Sequence, residues 1–106
     1  MKEPFLKNDC IEQNDVRELI LVHEKVQVVD VRSREEYDEK HIPRAINIPL
    51  SDLENAISLL DSSCLIVIAC GKGGGRSAEG AEKLKHLGFN SVWLCGGTFG
   101  WIQSED

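Results

Sequence analysis

Apolar positions along this 106-residue chain switch between strand-like runs and helical spacing, and the switching predicts strands and helices in turn. Val26-Gln-Val-Val-Asp-Val31 is β-branched and bounded by polar residues, the pattern of a buried strand. Cys64-Leu-Ile-Val-Ile-Ala69 is more apolar still and predicts a central strand covered on both faces. Cys10-Ile-Glu12 predicts a short first strand and Ser91-Val-Trp-Leu94 the last, with Ala45 to Ile48 a short extended segment between Pro43 and Pro49. Between them lie helical signals. Asn14 or Asp15 caps a helix carrying Val16, Leu19 and Ile20. Ser33-Arg-Glu-Glu36 and Ser51-Asp-Leu-Glu54 have the capping-box form. The first opens a short helix ending before His41, and the second a helix with Leu53, Ile57 and Leu60 on its apolar face. Ser77 to Leu87 is helical, with Ala78, Ala81, Leu84 and Leu87 along one side and Gly88 as its stop. After a turn at Gly96-Gly97, Thr98 to Gln103 predicts a final short helix. The alternation implies an α/β fold, a mainly parallel sheet with helices on both faces. Ligands of such sheets bind outside the carboxyl ends of the strands.

The length predicts one domain over residues 1–106, with its core at about residues 10–101. A net charge of −6 argues against nucleic acid or an anionic membrane surface as a partner. No apolar stretch approaches the ~20 residues that span a bilayer. Met1 to Asp9 has no apolar signal core, so the expectation is an intracellular, cytoplasmic protein. The four cysteines, Cys10, Cys64, Cys70 and Cys95, include no C-x-x-C pair, and in a reducing compartment they are expected to be free thiols. Cys64 reads as a small core hydrophobe and Cys10 as incidental. His23 and His86 read as solvated, and Trp93 and Trp101 as packing residues. No His, Cys and carboxylate cluster has ligand spacing, so no metal is expected.

The chemistry concentrates where the central strand ends. Cys70 is followed by Gly71-Lys72-Gly73-Gly74-Gly75, then Arg76 and Ser77 at the start of a helix. Glycines let successive amides turn inward as an anion-binding nest. A helix N-terminus adds about half a positive charge, and Lys72 and Arg76 add whole ones. Each favours thiolate over thiol, which is how reactive cysteines are made. Four glycines in five positions carry a chain-entropy cost that a plain connector would not require. Arg76 has two readings: it points into the loop toward an anionic substrate, or it turns away and holds the loop by bonding a carboxylate such as Asp30. Asp30 reads as loop support, Arg32 as paired with an acid such as Glu36, and Lys72 as an entrance charge. Cys95 also ends a strand, which makes it a candidate second thiol able to attack a sulfur on Cys70 or to close a disulfide with it.

Several segments in order resemble the rhodanese domain signature: Val29-Asp-Val-Arg32, Glu36-Tyr37, His41-Ile-Pro-Arg-Ala-Ile-Asn-Ile-Pro49, Cys70 with its loop to Arg76-Ser77, and Leu94-Cys-Gly-Gly-Thr-Phe-Gly-Trp101. The resemblance runs from about Cys10 to Trp101. It implies a rhodanese-like fold, a central five-stranded parallel sheet flanked by helices. It also implies a sulfurtransferase that carries a sulfane sulfur as a persulfide on Cys70, with Gly71 to Gly75 and Ser77 holding the substrate and His41 a structural turn residue. The implied partners are a small anionic donor such as thiosulfate and a thiol or cyanide acceptor, with a protein acceptor also compatible; no organic cofactor is implied. Two positions depart from the pattern. Arg44 stands in the family's glycine position, which a surface turn would tolerate. The loop has five residues between cysteine and arginine, where single-domain rhodaneses usually have four. Five is typical of the rhodanese-fold phosphatases and related arsenate reductases. Those enzymes, however, typically carry His before the cysteine, where this chain has Ala69, and the phosphatases carry an acid in the loop. A noncatalytic persulfide carrier or interaction module is the remaining alternative.

Overall fold

The computed structural model describes residues 6–7, 10–22 and 25–104; His23 and the stretch read for a signal core lie wholly or mostly outside them. Five strands run parallel in the order β2 (Cys10–Ile11), β6 (Asn90–Leu94), β5 (Leu65–Ala69), β3 (Val26–Asp30), β4 (Ile46–Asn47). A further strand, β1 (Leu6–Lys7), adds antiparallel to β2 at the edge, which the sequence pattern did not signal. The helices are α1 (Gln13–Leu21), α2 (Arg34–Glu39), α3 (Arg76–His86) and α4 (Gly97–Ser104). No helix among the described residues is long and apolar enough to cross a membrane.

Strand alternation sorts the apolar residues into two layers. Val28, Val67, Ala69, Val92 and Leu94 join Val16 of α1 and Trp101 of α4 on one face. Val29, Ile66, Ile68 and Cys70 join Ala81 and Leu84 of α3 on the other. Ile66 to Ala69 are fully buried, as a central strand with both faces covered requires. Ile66, Val67 and Ile68 each contribute about 1.5–3 kcal/mol on leaving water.

The helix ends depart from expectation in instructive ways. Glu12, not Asn14 or Asp15, is the N-cap of α1, and its side chain makes no capping bond. Ser33 and Glu36 do form a capping box on α2. Ser51 and Glu54 do not: Leu50–Asp52 and Glu54–Leu59 are 3₁₀ segments, and Ala56 inside the second leaves helical geometry. The cause is spacing. Leu50, Leu53 and Ala56 recur every three residues, as do Ile57 and Leu60, and a threefold repeat lines one stripe of a 3₁₀ helix. Leu87 is 42% exposed instead of lining α3. The helix ends there in a Schellman motif, Phe89 N–H donating to Leu84 O at 2.9 Å and Gly88 N–H to Lys85 O at 3.1 Å. Phe89, past the turn, supplies the apolar contact instead. Arg44 has φ +76° in an exposed turn closed by Ala45 N–H to Ile42 O at 3.0 Å. With Pro43 before it, this is the type II arrangement that normally takes glycine.

Candidate active site

Cys70 sits one residue beyond the end of β5, 5% exposed, with its side chain on the α3 face. The chain then loops through Gly71–Gly75 and enters α3 at Arg76. The loop lies on the start of α4. Thr98 N–H donates to Cys70 O at 2.7 Å and Phe99 N–H to Gly71 O at 3.0 Å, so two amides of α4 hold the carbonyls that open the loop. This contact needs bare backbone on both sides. A Cβ on Gly97 would stand 2.6 Å from both Gly71 O and Gly73 N, and one on Gly73 would stand 3.0 Å from Gly96 N.

Among the described residues the Cys70 sulfur makes two polar contacts. It donates to Gly74 O at 3.2 Å and lies 3.2 Å from Ser77 Oγ, which itself donates to Gly74 O at 2.9 Å. Ser77, expected to hold the substrate, thus lies against the sulfur, but at Gly74 the peptide turns its carbonyl inward where the glycine pattern predicts amides. A neutral thiol needs an acceptor, and this carbonyl supplies it. Among the described residues, none of the Gly71–Gly75 amides donates to a backbone carbonyl, so the loop retains donors for an incoming anion. Ser77 is fully buried and Lys72 exposed.

Arg76 takes the second of its two readings, with a different partner. It turns away from the loop, donating to Glu36 Oε1 at 3.1 Å rather than to Asp30. The Glu36 carboxyl is held down at about 2 by the Arg76 hydrogen bond first and by the Ser33 amide second. Arg76 is pushed up chiefly by the same hydrogen bond, against the opposing cost of its burial. Arg32, expected on Glu36, instead pairs with Asp30 in the interior: Nε and Nη2 reach the two carboxylate oxygens at 2.9 and 2.7 Å, and Nη2 also donates to Lys40 O at 2.6 Å. The two arginines have exchanged acids because alternation on β3 points Asp30 inward, next to Arg32, while α2 carries Glu36 out toward α3. His41 stacks on Tyr37 with ring centroids 3.9 Å apart and bonds Tyr37 O, a structural role.

Cys95 does not bridge to Cys70. It is disulfide-bonded to Cys10, with Cα atoms 5.2 Å apart, while Cys64 and Cys70 remain free. Cys10 is thus neither incidental nor a free thiol. Strand β2 pairs with β6 and delivers Cys10 to Cys95 across 85 residues of sequence, which spacing alone cannot reveal. Phe99 also went unremarked in the sequence. Its ring edge lies 3.0 Å from where a Gly71 Cβ would be, and the Arg32 guanidinium stands 5.9 Å from its centroid. Beside it a cleft of about 350 Å³ is lined by Arg32, Glu36, Glu39, Lys40, Phe99 and Ile102, among others. Among the described residues no group of three or more His, Cys, Asp or Glu could hold a metal ion.

The rhodanese-like domain model matches residues 12–104, nearly the whole chain. The chain belongs to the rhodanese-like domain family. It is 38% identical over 69 residues to a putative sulfur carrier protein, YrkF, of Bacillus subtilis, covering 65% of this chain and 37% of that protein. It is 32% identical over 71 residues to the thiosulfate sulfurtransferase PspE of Escherichia coli, covering 65% of this chain and 67% of that one. The crystal structure of a rhodanese-related protein from Thermoplasma volcanium superposes with a TM-score of 0.78 at 34% identity, covering 90% of this chain and 91% of that one. Of the first curated relatives it matches, this rhodanese-like chain spans little more than a third at most.

Proposed function

We propose that this rhodanese-like protein is a sulfurtransferase that carries sulfane sulfur on Cys70. The observation that carries the reading is the free Cys70 thiol at the carboxyl end of the sheet, on the floor of a five-residue loop with uncommitted amides. A small anionic donor such as thiosulfate is drawn to Lys72 and the loop. Cys70 thiolate attacks the donor's outer sulfur, the sulfur–sulfur bond breaks, and sulfite leaves with the bonding electrons. The persulfide that remains gives its outer sulfur to a thiol or cyanide. Ser77 and the loop amides of Gly71 to Gly75 bear the charge on sulfur. Arg76, tied to Glu36, and Asp30, tied to Arg32, position the loop and its surroundings. The cleft beside Phe99 gives an acceptor a place to approach. The names of the YrkF and PspE relatives point to the same chemistry.

The five-residue loop also suits a tetrahedral oxyanion, but phosphoester cleavage gains from an acid that protonates the leaving oxygen. Glu36 is held ionised by Arg76, and Asp30 is buried against Arg32, so neither is placed to donate a proton. Sulfite leaves as a stable anion and needs none.

One preparation should be assayed with thiosulfate and cyanide, with an aryl phosphate, and with arsenate plus a thiol. Thiocyanate formation is expected, with mass spectrometry locating one added sulfur on Cys70. Cys70→Ala should fall to the uncatalysed background. Turnover of the phosphate or arsenate alone would overturn the reading, and an adduct without turnover would identify a carrier.

A further inference from the structure

Three of the four cysteines lie on, or just past the ends of, three adjacent strands: Cys10 in β2, Cys95 after β6 and Cys70 after β5. The β5–β6 ladder pairs Ile68 with Trp93, and two residues further along each strand stand Cys70 and Cys95. Ile68, Cys70 and Trp93 all belong to the α3-face layer. Cys95 directly follows β6, and its N–H donates to Ile11 O of β2 at 2.9 Å. Neighbouring strands lie ~4.8 Å apart, so continuing both chains past that pair brings Cys70 and Cys95 to the same end of two adjacent strands. The backbone on either side of Cys95 is packed on the active loop: a Gly73 Cβ would meet Gly96 N at 3.0 Å and Leu94 O at 3.1 Å. Cys95 is half-buried, and its sulfur is committed to Cys10 on the neighbouring strand β2.

We propose that the Cys10–Cys95 pair, in its dithiol form, is an internal acceptor that discharges the Cys70 persulfide as sulfide. The proposal rests on the sulfurtransferase reading and adds a second activity to it. Cys95 thiolate attacks the outer sulfur of the Cys70 persulfide; the sulfur–sulfur bond breaks and Cys70 leaves as thiolate. Cys10 thiolate then attacks Cys95 Sγ, and hydrosulfide leaves as the Cys10–Cys95 disulfide forms. Two thiols are oxidised to one disulfide, the sulfane sulfur is reduced by the same two electrons to sulfide, and the two thiol protons account for hydrogen sulfide. An external dithiol reductant returns the pair to its thiol form by exchange. The structure, with the disulfide closed, corresponds to the spent state.

The test uses the whole chain in two forms, disulfide-closed and reduced with the reductant removed under argon, each given one equivalent of thiosulfate. The closed form should hold one added sulfur on Cys70 and release no sulfide. The reduced form should release one equivalent of sulfide and become resistant to alkylation at Cys10 and Cys95. Cys10→Ser, reduced, should retain the added sulfur on Cys95, and Cys95→Ser should retain it on Cys70. A reduced wild-type chain that keeps its sulfur on Cys70 and releases no sulfide overturns this proposal while leaving the sulfurtransferase reading intact. Absence of any adduct on the closed form overturns that reading, and this one with it.

Discussion

Gly97 leaves no room for a side chain, and the reason is the active loop rather than the helix it opens. Its φ is +62°, and a Cβ would press on Gly71 O and Gly73 N, both backbone atoms that cannot rotate aside. Gly97→Ala should therefore cost more than about 2 kcal/mol, from the left-handed conformation and from overpacking together. Because the displaced atoms belong to the loop around Cys70, persulfide formation should fall along with stability. Gly100, in the same helix, provides the opposite case. A Cβ there meets nothing within 4 Å. Gly100→Ala should be neutral or stabilising by up to about 1 kcal/mol through helix propensity. Urea denaturation of the two variants, with stopped-time adduct measurement by mass spectrometry, checks both signs. Equal effects from the two substitutions would show that close packing on the loop is not what Gly97 provides.

At the scale of elements, the tie between α2 and α3 is the Glu36–Arg76 pair, and its contribution depends on pH. The Glu36 carboxyl ionises at about 2 in the folded chain against an ordinary 4.5. A depressed carboxyl contributes fully above its unfolded value and loses that contribution as pH falls from about 4.5 toward 2. Both partners are substantially exposed, so the pair is worth only about 0.2–1 kcal/mol. Glu36→Gln keeps a capping-box residue on α2 while removing the charge. Urea midpoints at pH 6 and pH 3 should draw together in this variant relative to the wild type; an unchanged pH dependence would place the titration elsewhere. Elements of this kind were unevenly legible in the sequence. Strand β5 was read correctly because Leu65 to Ala69 is an unbroken apolar run, whereas the inward carbonyl of Gly74 in the loop that follows was not legible from its glycines. The partners of Arg32 and Arg76 were not legible. Asp30, Arg32 and Glu36 lie within seven residues of one another, and only the strand's alternation and the direction of α2 decide which acid meets which arginine. The 3₁₀ segments were misread as a helix because Ser51 and Glu54 carry capping residues, while the threefold spacing of Leu50, Leu53 and Ala56 was the stronger signal.

Over the whole molecule, the Cys10–Cys95 disulfide has the longest reach of any covalent tie, linking positions 85 residues apart. It fastens the short β1–β2 edge to β6, the strand that continues into the turn beneath the active loop. In the chain-entropy account, closing a loop of this size stabilises a protein by about 4–5 kcal/mol, and typical measured values are about 2–4. Domains of this size are stable by about 5–15 kcal/mol in total, so the dithiol form should stay folded but with a large share of its stability gone. That outcome is a precondition of an internal acceptor, which has to open and close without unfolding the site it serves. Urea unfolding with and without a reductant should show the midpoint falling on reduction. A Cys10→Ser, Cys95→Ser double variant should match the reduced wild type and ignore the reductant. Should reduction leave the wild-type midpoint unmoved, the edge strands are held by their hydrogen bonds and burial alone. A midpoint that vanishes on reduction would mean that the dithiol chain has no native loop in which Cys95 could meet Cys70.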